Sequence, residues 1–582
     1  MKHLYLLTLL AAALAFTGCQ KDDSVPAQPV TSDFDPVFAR VLQEKGYISD
    51  ANNITTDDLA AITELDVWGE GDNPGPITSL RGIEHFKSLT ELDCSNNQLT
   101  TLDVSQNPAL TELYCGSNEL TELHVNPALM KLYCEYNQLT ELNISQSPAL
   151  TELDCSSNQL TTLDVSQNTV LTDLICDNNP LTTLDVSKNA ELLYVSCSDC
   201  QLTALDLSHN TQLGTLWSNS NPLKTLDLSK NTSLGFLSCV SNGLTTLDVS
   251  HNPELSILQC SSNQITELDI RNLTELTSLT CPDNRLTALD LSQNAELTDV
   301  NCDGNQLPEL DVSANTKLWL LICSSNSMET LNVGANTALT YLYCNYNELT
   351  TLDVSRNTEL TYLSCFNNKL TELDVSANTK LADLSCSNNL LTELDVRANT
   401  ELEMFDCSNN SLTELDVSAN TKLAWHFYCY GNQLTELDVS NCTVLEVLFC
   451  HDNPLTSLDV SRNTALTELQ CSNNQLTELD LSRNTVLTDL YCGNNQLTSL
   501  DVSQNTALTE LSCFSNELPS LDLSRNTALT LLDCSYNPGD GVSSFPITAW
   551  FDNETVPAGL DVYSSSWWYD DKNITIDFRK AE

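Results

Sequence analysis

A segment of 21 residues recurs from residue 89 to residue 537, and this repeat constrains the fold more than any other feature of the sequence. A cysteine marks its register from Cys94 to Cys534, with Ser218 as the single exception. One repeat is two residues short and another is one residue long, so 22 repeats fill the span. A period of this length is typical of a solenoid, in which each unit buries its apolar edge only against its neighbours. No single segment could therefore fold alone.

The consensus repeat is L-T-x-L-x-C-x-x-N-x-L-T-x-L-D-V-S-x-N-T-x. In L-x-C the apolar residues alternate with polar ones, as a strand with one buried face requires. The Leu and Val residues of L-T-x-L-D-V are expected to build the opposite wall of the core. The asparagine after the cysteine, as in Asn97, Asn158 and Asn368, is predicted to lie where the chain turns. A buried amide at that position can satisfy backbone groups of the adjacent turns.

This pattern resembles leucine-rich repeats, and within them the bacterial internalin-like type whose repeat carries a cysteine in the strand. The resemblance covers residues 89–537. It implies an α/β-type repeat solenoid, a curved array of about 22 parallel-strand repeats. In such an array the strands line the concave face, and the second half of each repeat forms the convex side.

Both ends of the array are predicted to be caps, because a solenoid must cover its terminal apolar edges. Residues 34–88 form the predicted N-terminal cap, in which Asp35 and Pro36 start a helix that Gly46 ends. A second short helix is expected to start near Thr56, followed by an irregular strand over residues 65–68. Residues 538–582, which are rich in aromatic side chains, form the predicted β-rich C-terminal cap.

The first 18 residues are predicted to be a signal peptide. Their apolar run from Leu4 to Ala15 is shorter than the ~20 residues that span a bilayer. The segment that ends in Gly18 and Cys19 resembles the lipobox of bacterial lipoproteins. This resemblance implies cleavage before Cys19 and lipidation of its thiol. Ordinary secretion with a free N-terminus is the alternative.

Residues 19–33 then comprise the lipidated cysteine and a polar tether. Gln20-Lys21-Asp22-Asp23 resembles an acidic export signal of some Gram-negative lipoproteins. We therefore expect the protein to be anchored to the outer membrane through its lipid alone, with the array exposed at the cell surface. Whether the anchor faces outward or toward the periplasm is left open.

The charge and the motifs exclude several function classes. The chain has 79 acidic and 24 basic side chains, a net charge of −55, so it should repel nucleic acids and anionic lipid surfaces. No nucleophile elbow, metal-binding His motif or phosphate-binding glycine loop occurs, and we predict neither an enzyme nor a cofactor. Residues 50–58 faintly resemble a calcium loop but have Thr55 where that loop needs glycine, so no metal site is predicted.

The 24 cysteines are predicted to be structural. Of these, 21 occupy the repeat slot, Cys19 belongs to the lipobox, and Cys200 and Cys442 each replace a repeat asparagine. Neighbouring slots on parallel strands lie about 4.8 Å apart, which is wide for the ~3.5–4.5 Å between Cβ atoms of a disulfide. A row of buried free thiols that act as small apolar side chains is the favoured interpretation.

Ligand binding is predicted on the concave face, where most outward positions are Asp, Glu, Ser or Asn but aromatic residues form groups. Exposed aromatic residues have the composition of interface hot spots. The alternative is ring stacking between neighbouring strands that only stabilises the sheet. An inserted residue before Cys429 is expected to bulge its strand and re-aim side chains. The candidate ligand-binding residues are Tyr194, Trp217, Phe236, Tyr341, Tyr343, Tyr362, Phe366, His426, Tyr428, Tyr430, Phe449 and His451.

Three functions are compatible with these features. The first is a monomeric surface lipoprotein that binds a protein partner, as the resemblance to internalin-like adhesins implies. The second is a glycan-binding component of a surface uptake system, because Tyr and Trp also stack on sugar rings. The third is a structural spacer in the envelope. The adhesin hypothesis depends on analogy, since this fold serves many functions.

Overall fold

A computed structural model describes residues 28–69, 71 and 75–581. The predicted signal peptide and the lipidation site Cys19 lie outside the described residues. The chain divides into two compact units, Met1–Leu139 and Thr140–Glu582.

The first unit begins with short helices, as predicted. Helix α1 spans Pro36–Glu44, and the Asp35 carboxylate caps it by accepting from the backbone N–H groups of Val37 (2.8 Å) and Phe38 (3.2 Å). Gly46, with φ of 81°, ends it. Helix α2 covers Thr56–Leu59 and starts with a capping box. Short 3-10 helices cover Thr31–Asp33 and Ile83–His85.

Six short strands follow in the described residues of the first unit. In chain order they are β1 (Glu64–Asp66), β2 (Glu91–Asp93), β3 (Thr101–Asp103), β4 (Glu112–Tyr114), β5 (Glu122–His124) and β6 (Lys131–Tyr133). Strands β1, β2, β4 and β6 pair in parallel in that order, and β3 pairs with β5. The irregular strand predicted over residues 65–68 is β1, which begins one residue earlier and ends at Asp66.

The second unit repeats one parallel strand per 21 residues. Its strands are β7 (Glu152–Asp154), β8 (Asp173–Ile175), β9 (Tyr194–Ser196), β10 (Thr215–Trp217), β11 (Phe236–Ser238), β12 (Ile257–Gln259), β13 (Ser278–Thr280), β14 (Asp299–Asn301), β15 (Leu320–Ile322), β16 (Tyr341–Tyr343), β17 (Tyr362–Ser364), β18 (Asp383–Ser385), β19 (Met404–Asp406), β20 (His426–Tyr428), β21 (Val447–Phe449), β22 (Glu468–Gln470), β23 (Asp489–Tyr491), β24 (Glu510–Ser512), β25 (Leu521–Asp522) and β26 (Leu531–Asp533). Except for β25, these strands pair in sequence order, so every predicted repeat contributes one strand.

The C-terminal segment is rich in strands, as predicted. It contains β27 (Ser544–Ala549), β28 (Asp561–Val562), β29 (Ser566–Tyr569) and β30 (Lys572–Lys580). Strand β28 continues the repeat sheet by pairing with β26. The other three join β25 in a separate sheet of order β25-β27-β30-β29. The Trp567 indole N–H donates to the backbone carbonyl of Asn537 at 2.9 Å, which ties this segment to the last repeat.

The core of each repeat is built from the positions that the consensus predicts. In the repeat of Cys386, the side chains of Leu384, Leu391 and Val396 are fully buried. Burying each such side chain stabilises the fold by about 1.5–3 kcal/mol. Because the middle residue of each strand faces this core, the residues before and after it face the other side of the sheet. The alternation therefore separates a packing face from a free face.

A row of buried asparagines holds consecutive repeats together. In the repeat of Asn389, the side-chain N–H groups donate to the carbonyls of Cys365 (3.0 Å) and Cys386 (3.1 Å), and the side-chain oxygen accepts from the Leu370 N–H (2.9 Å). The preceding residue, Asn388, has φ of 53°, a left-handed conformation that turns the chain. The amide thus satisfies backbone groups of two turns, as predicted.

The cysteines of the described residues are all buried and free. Burial raises the pKa of the Cys260 thiol to about 12, so such thiols stay protonated and act as small apolar groups. Cys200 takes an asparagine position and donates to the Cys176 carbonyl at 3.4 Å. Cys442 does the same in a second asparagine row, 3.7 Å from the Asn420 carbonyl. Both are therefore substitutions within buried rows.

The inserted residue lies just before its strand rather than bulging within it. The N–H groups of Ala424 and Trp425 both donate to the Glu403 carbonyl, at 3.1 and 3.3 Å. Strand β20 keeps its full parallel register with β19. It loses one of the usual three pairs with β21. The predicted local irregularity is present, but it lies in the segment just before β20, where Trp425 is exposed.

Candidate functional site

The candidate site is the free face of the repeat sheet in the second unit. We call it the outer strand face and define it as the first and third residues of each ladder strand plus the residue after the ladder cysteine or Ser218. Between the repeats of Cys155 and Cys534 these positions hold no Lys or Arg. They carry twelve carboxylates, which are Glu152, Asp154, Asp173, Asp177, Asp299, Asp303, Asp383, Asp406, Glu468, Asp489, Glu510 and Asp533. The face therefore carries carboxylates on several strands and no Lys or Arg.

The first aromatic cluster lies on β9 to β11. Trp217 and Phe236 stack across neighbouring strands with their ring centroids 4.5 Å apart. Tyr194 lies on the adjacent strand β9, in register with Thr215. All three aromatic side chains are half-buried. The structure thus brings these three predicted residues onto consecutive strands of one face.

The second aromatic cluster lies on β16 and β17. Tyr343 stacks on Tyr362 with a centroid distance of 4.5 Å, and Tyr341 lies 6.4 Å from Tyr362. Phe366 contacts Tyr346 edge-on at 5.1 Å. Tyr346 occupies a left-handed turn position and is 53% exposed, and sequence reasoning missed it because that position faces solvent in most repeats.

The third aromatic cluster lies on β20 and β21. Tyr428 stacks on Phe449 with centroids 4.5 Å apart, and Tyr430 stacks on His451 at 4.4 Å. His426 lies over Tyr428 at 5.4 Å and is exposed. These five residues are the ones predicted, and the exposed Trp425 beside them marks the insertion.

Ring stacking between strands is therefore present, as the alternative interpretation requires. This stacking does not bury the rings completely. Those of the second and third clusters remain partly exposed, and Tyr341 is 36% exposed. Rings that only stabilised the sheet would gain most from full coverage, since each stacked pair adds about 0.5–1.5 kcal/mol beyond its burial. The clusters thus combine rigidity with an accessible apolar surface.

An acidic gap separates the second cluster from the third. We define it by three of the outer residues of β18 and β19, namely Asp383, Met404 and Asp406. Asp383 pairs in register with Tyr362 on one side and Met404 on the other. Burial, together with the nearby Asp406 charge, raises the pKa of Asp383 to about 6. Sequence reasoning missed this residue because Asp is a common occupant of outer positions.

Burial and nearby charge also raise the pKa of the two tyrosines beside the gap. Burial is the largest cause that raises the pKa of Tyr362 to about 12, and the Asp383 charge adds to it. The pKa of Tyr343 is raised for the same two reasons. Perturbed ionisable groups that cluster on an accessible surface are typical of functional sites.

No constellation for catalysis or metal binding accompanies these clusters. Across residues 28–69, 71 and 75–581, no three His, Cys, Asp or Glu side chains converge as metal ligands. In that same part of the chain, no helix has the length and apolar character that crossing a membrane requires. What the outer strand face offers is an acidic surface with rigid aromatic clusters.

Comparisons with known proteins agree on the repeat. The leucine-rich-repeat family described as "Leucine Rich repeats (2 copies)" matches residues 87–129. None of the curated proteins matches the chain. The structure of YopM from Yersinia enterocolitica WA-314 is 26% identical over 75% of this chain and 88% of that chain, with a TM-score of 0.58.

Two further structures are similar. The plant peptide hormone receptor RGFR1 in complex with RGF2 is 17% identical over 90% of this chain and 94% of that chain, with a TM-score of 0.69. The functional domain of InlJ from Listeria monocytogenes, described as including a cysteine ladder, is 26% identical over 95% of this chain and 99% of that chain, with a TM-score of 0.30. The protein has the fold of a leucine-rich repeat array, as its repeat pattern predicts.

Proposed function

We propose that this protein is a non-enzymatic binding protein that holds a protein partner on the outer strand face of its second unit. The observation that carries the proposal is the pair of aromatic clusters on β16–β17 and β20–β21. Stacked rings lose little conformational freedom on binding because their neighbours already hold them in place. Tyr and Trp are also the residues that most often dominate binding energy at protein interfaces.

The ring geometry favours a protein partner over a glycan. A sugar stacks on the free face of an aromatic ring, whereas most rings here already use a face on a neighbour. Trp217 and Phe236, Tyr343 and Tyr362, and Tyr430 and His451 pair in this way. What remains accessible is ring edges, hydroxyl groups beside carboxylates and the unstacked faces of rings at the ends of the stacks. Such a mixed surface suits the side chains of a protein.

The proposal includes a cellular location for the protein. We propose that Cys19 is lipidated and anchors the chain to the outer membrane, with the array outside the cell. Protease treatment of intact Gram-negative cells should then cleave the wild-type chain but not an internal periplasmic control protein. The Cys19→Ala variant should fractionate away from the membrane. Protection of the wild-type chain until the outer membrane is opened would place the array in the periplasm and overturn the surface address.

The binding proposal is tested with two tyrosines and a matched control. The purified chain, its Tyr343→Ala/Tyr428→Ala variant and a Tyr563→Ala/Trp568→Ala control are applied to an array of extracellular proteins and to a glycan array. The control residues are exposed aromatics of the C-terminal segment, outside the clusters. We expect binding to specific proteins that falls at least tenfold in the first variant and stays unchanged in the control.

Two outcomes would contradict the proposal. Tyrosine-dependent binding to glycans, with none to proteins, would favour the uptake function. Protein binding that survives the Tyr343→Ala/Tyr428→Ala change would exclude these clusters as the site. Thermal unfolding of each variant shows that a loss of binding is not a loss of folding.

A further inference from the structure

Two aromatic stacks present their ends to the acidic gap from opposite sides. Tyr362 uses one ring face on Tyr343, so its other face is turned toward β18 and Asp383. Tyr428 stacks on Phe449 and also has His426 over it at 5.4 Å, on the strand that pairs with β19. Strands β17 and β20 are three strand steps apart, about 14 Å at ~4.8 Å per step. The gap therefore has carboxylates on its floor and aromatic rings as its walls.

Among the residues that the structure describes, no basic side chain pairs with the carboxylates of the gap. Within the described part of the chain, Asp383 accepts no side-chain hydrogen bond and forms no ion pair. Asp406 accepts only from Ser408, through the backbone N–H at 3.0 Å and the hydroxyl at 2.6 Å, and both bonds use the same oxygen. The second oxygen of Asp406 stays free. The gap thus holds negative charge that nothing in its own fold neutralises.

The chain places its own cations on other surfaces. Four lysines of the second unit pair with a glutamate one repeat earlier, outside the outer strand face. Two arginines pair with the aspartate two residues before them in the turn segments. No Lys or Arg occupies an outer position beside the gap, so no basic side chain of this face pairs with these carboxylates.

We propose that the acidic gap binds a basic side chain of the protein partner, an arginine in preference to a lysine. This inference rests on the proposed function and specifies the chemistry of the partner. A planar guanidinium can stack on the free face of Tyr362 while it donates two hydrogen bonds to one carboxylate. Met404, half-buried between the two aspartates, offers an apolar surface for the aliphatic stem of that side chain.

Charge complementarity over a longer range agrees with this partner. The whole chain carries a net charge of −55, and the outer strand face contributes carboxylates without a basic residue. Such a field attracts any cationic protein and raises its rate of association. General attraction does not specify a site, however, so the test must separate the gap from the rest of the acidic face.

The test uses the full purified chain and three short peptides. The probes are acetyl-Ser-Gly-Arg-Gly-Ser-amide and the same peptide with lysine or with citrulline, which keeps the shape of arginine but has no charge. Ligand-observed NMR titrations at 150 mM salt suit weak binding. The variants are Asp383→Asn and Asp489→Asn. Asp489 occupies the same first strand position five strands further along, so it is the matched control.

We expect the arginine peptide to bind at least tenfold more tightly than the citrulline peptide and more tightly than the lysine peptide. Asp383→Asn should remove most of that preference, and Asp489→Asn should leave it intact. Equal binding of arginine and citrulline peptides would overturn the inference. So would an equal loss in the two variants, because it would show diffuse attraction by the whole face.

Failure of this inference is distinguishable from failure of the proposed function. If the peptides show no preference at the gap but Tyr343→Ala/Tyr428→Ala still abolishes protein binding, the partner uses the aromatic clusters without a basic side chain. If neither the gap nor the clusters affect binding, the proposed function falls as well. Far-UV circular dichroism of Asp383→Asn confirms that the chain remains folded.

Discussion

The two faces of a repeat differ in how much they vary along one chain. In the turn segment L-D-V-S, the serine N–H donates to the aspartate at 2.9 Å in repeat after repeat, as for Asp374 and Asp416. On the outer strand face, the first strand positions from β17 to β22 hold Tyr, Asp, Met, His, Val and Glu in turn, with no common contact. Because all repeats follow one backbone path, recurring residues mark what the backbone needs. Residues that change from repeat to repeat are free to serve binding.

The largest expected effect comes from breaking a recurring contact. Asn389→Ala removes four hydrogen bonds between the buried amide and backbone groups, and leaves the Leu370 N–H without its acceptor. Unsatisfied buried polar groups cost about 1–3 kcal/mol each, so we expect the free energy of unfolding to fall by about 3 kcal/mol. Urea titration followed by circular dichroism measures it.

A change on the variable face of the same repeat provides the control. Ser385→Ala lies on β18, and no side-chain hydrogen bond of Ser385 is found in the described residues. We expect its effect on unfolding to stay within about 0.5 kcal/mol. Equal losses in Ser385→Ala and Asn389→Ala would show that the distinction between the two faces is wrong.

A smaller loss is expected in the turn segment. Asp374→Ala removes the carboxylate that accepts from Ser376, which should cost about 1 kcal/mol at pH 7. Hydrogen bonds from Ser376 lower the pKa of Asp374 in the folded chain. This stabilisation is therefore present above the ordinary Asp pKa of about 4 and is lost as the pH falls through the lowered folded value. Unfolding of wild type and variant at pH 7 and pH 2 should differ only at pH 7, with peptide binding unaffected at pH 7.

Asp383 should show the opposite pH dependence. Its pKa is raised by burial to about 6, with Asp406 on β19 adding to the shift and the rings of Tyr362 and Tyr343 lying on the other side. Its ionisation therefore opposes folding, and wild type loses stability relative to Asp383→Asn as the pH rises from about 4 through 6. With solvent screening, the difference at pH 7 should be below about 1 kcal/mol. This sign would be wrong if the stability of Asp383→Asn relative to wild type were lower at pH 7 than at pH 3.

The smallest effect is expected in the cysteine row. Ser218 already fills one slot, and its hydroxyl donates to the Ser238 carbonyl at 3.4 Å, as the Cys197 thiol does to the Trp217 carbonyl at 3.6 Å. Cys386→Ser should therefore cost about 0.5 kcal/mol, because its hydroxyl finds an equivalent carbonyl. A loss above about 2 kcal/mol, measured by urea titration, would mean that the thiol does more than fill space.

Much of the fold could be predicted because nearly every repeat has the same spacing of apolar residues and asparagines. The spacing of Leu and Cys identified the buried side of every strand, and Asp35 with Pro36 identified the start of α1. The asparagine after the cysteine was assigned to the turn, which Asn389 bears out. These predictions need only local spacing, since neighbours one period apart occupy equivalent places. The place of the inserted Trp425 was harder to predict. Only the backbone pairing of β20 with β19 and β21 shows on which side of the strand the extra residue lies.

The sequence by itself determined the register of this protein, because a 21-residue period admits one way of stacking its strands. It also determined that the outer positions are acidic with aromatic groups. Only the tertiary structure decided which rings contact each other. The ring of Tyr362, for example, lies closer to Tyr343 (4.5 Å between centroids) than to Tyr341 (6.4 Å). It alone decided that burial raises the pKa of Asp383, and of Asp177, among the twelve outer carboxylates. Contact and desolvation depend on neighbours from other strands, and side chains separated by whole repeats acquire those neighbours only when the sheet forms.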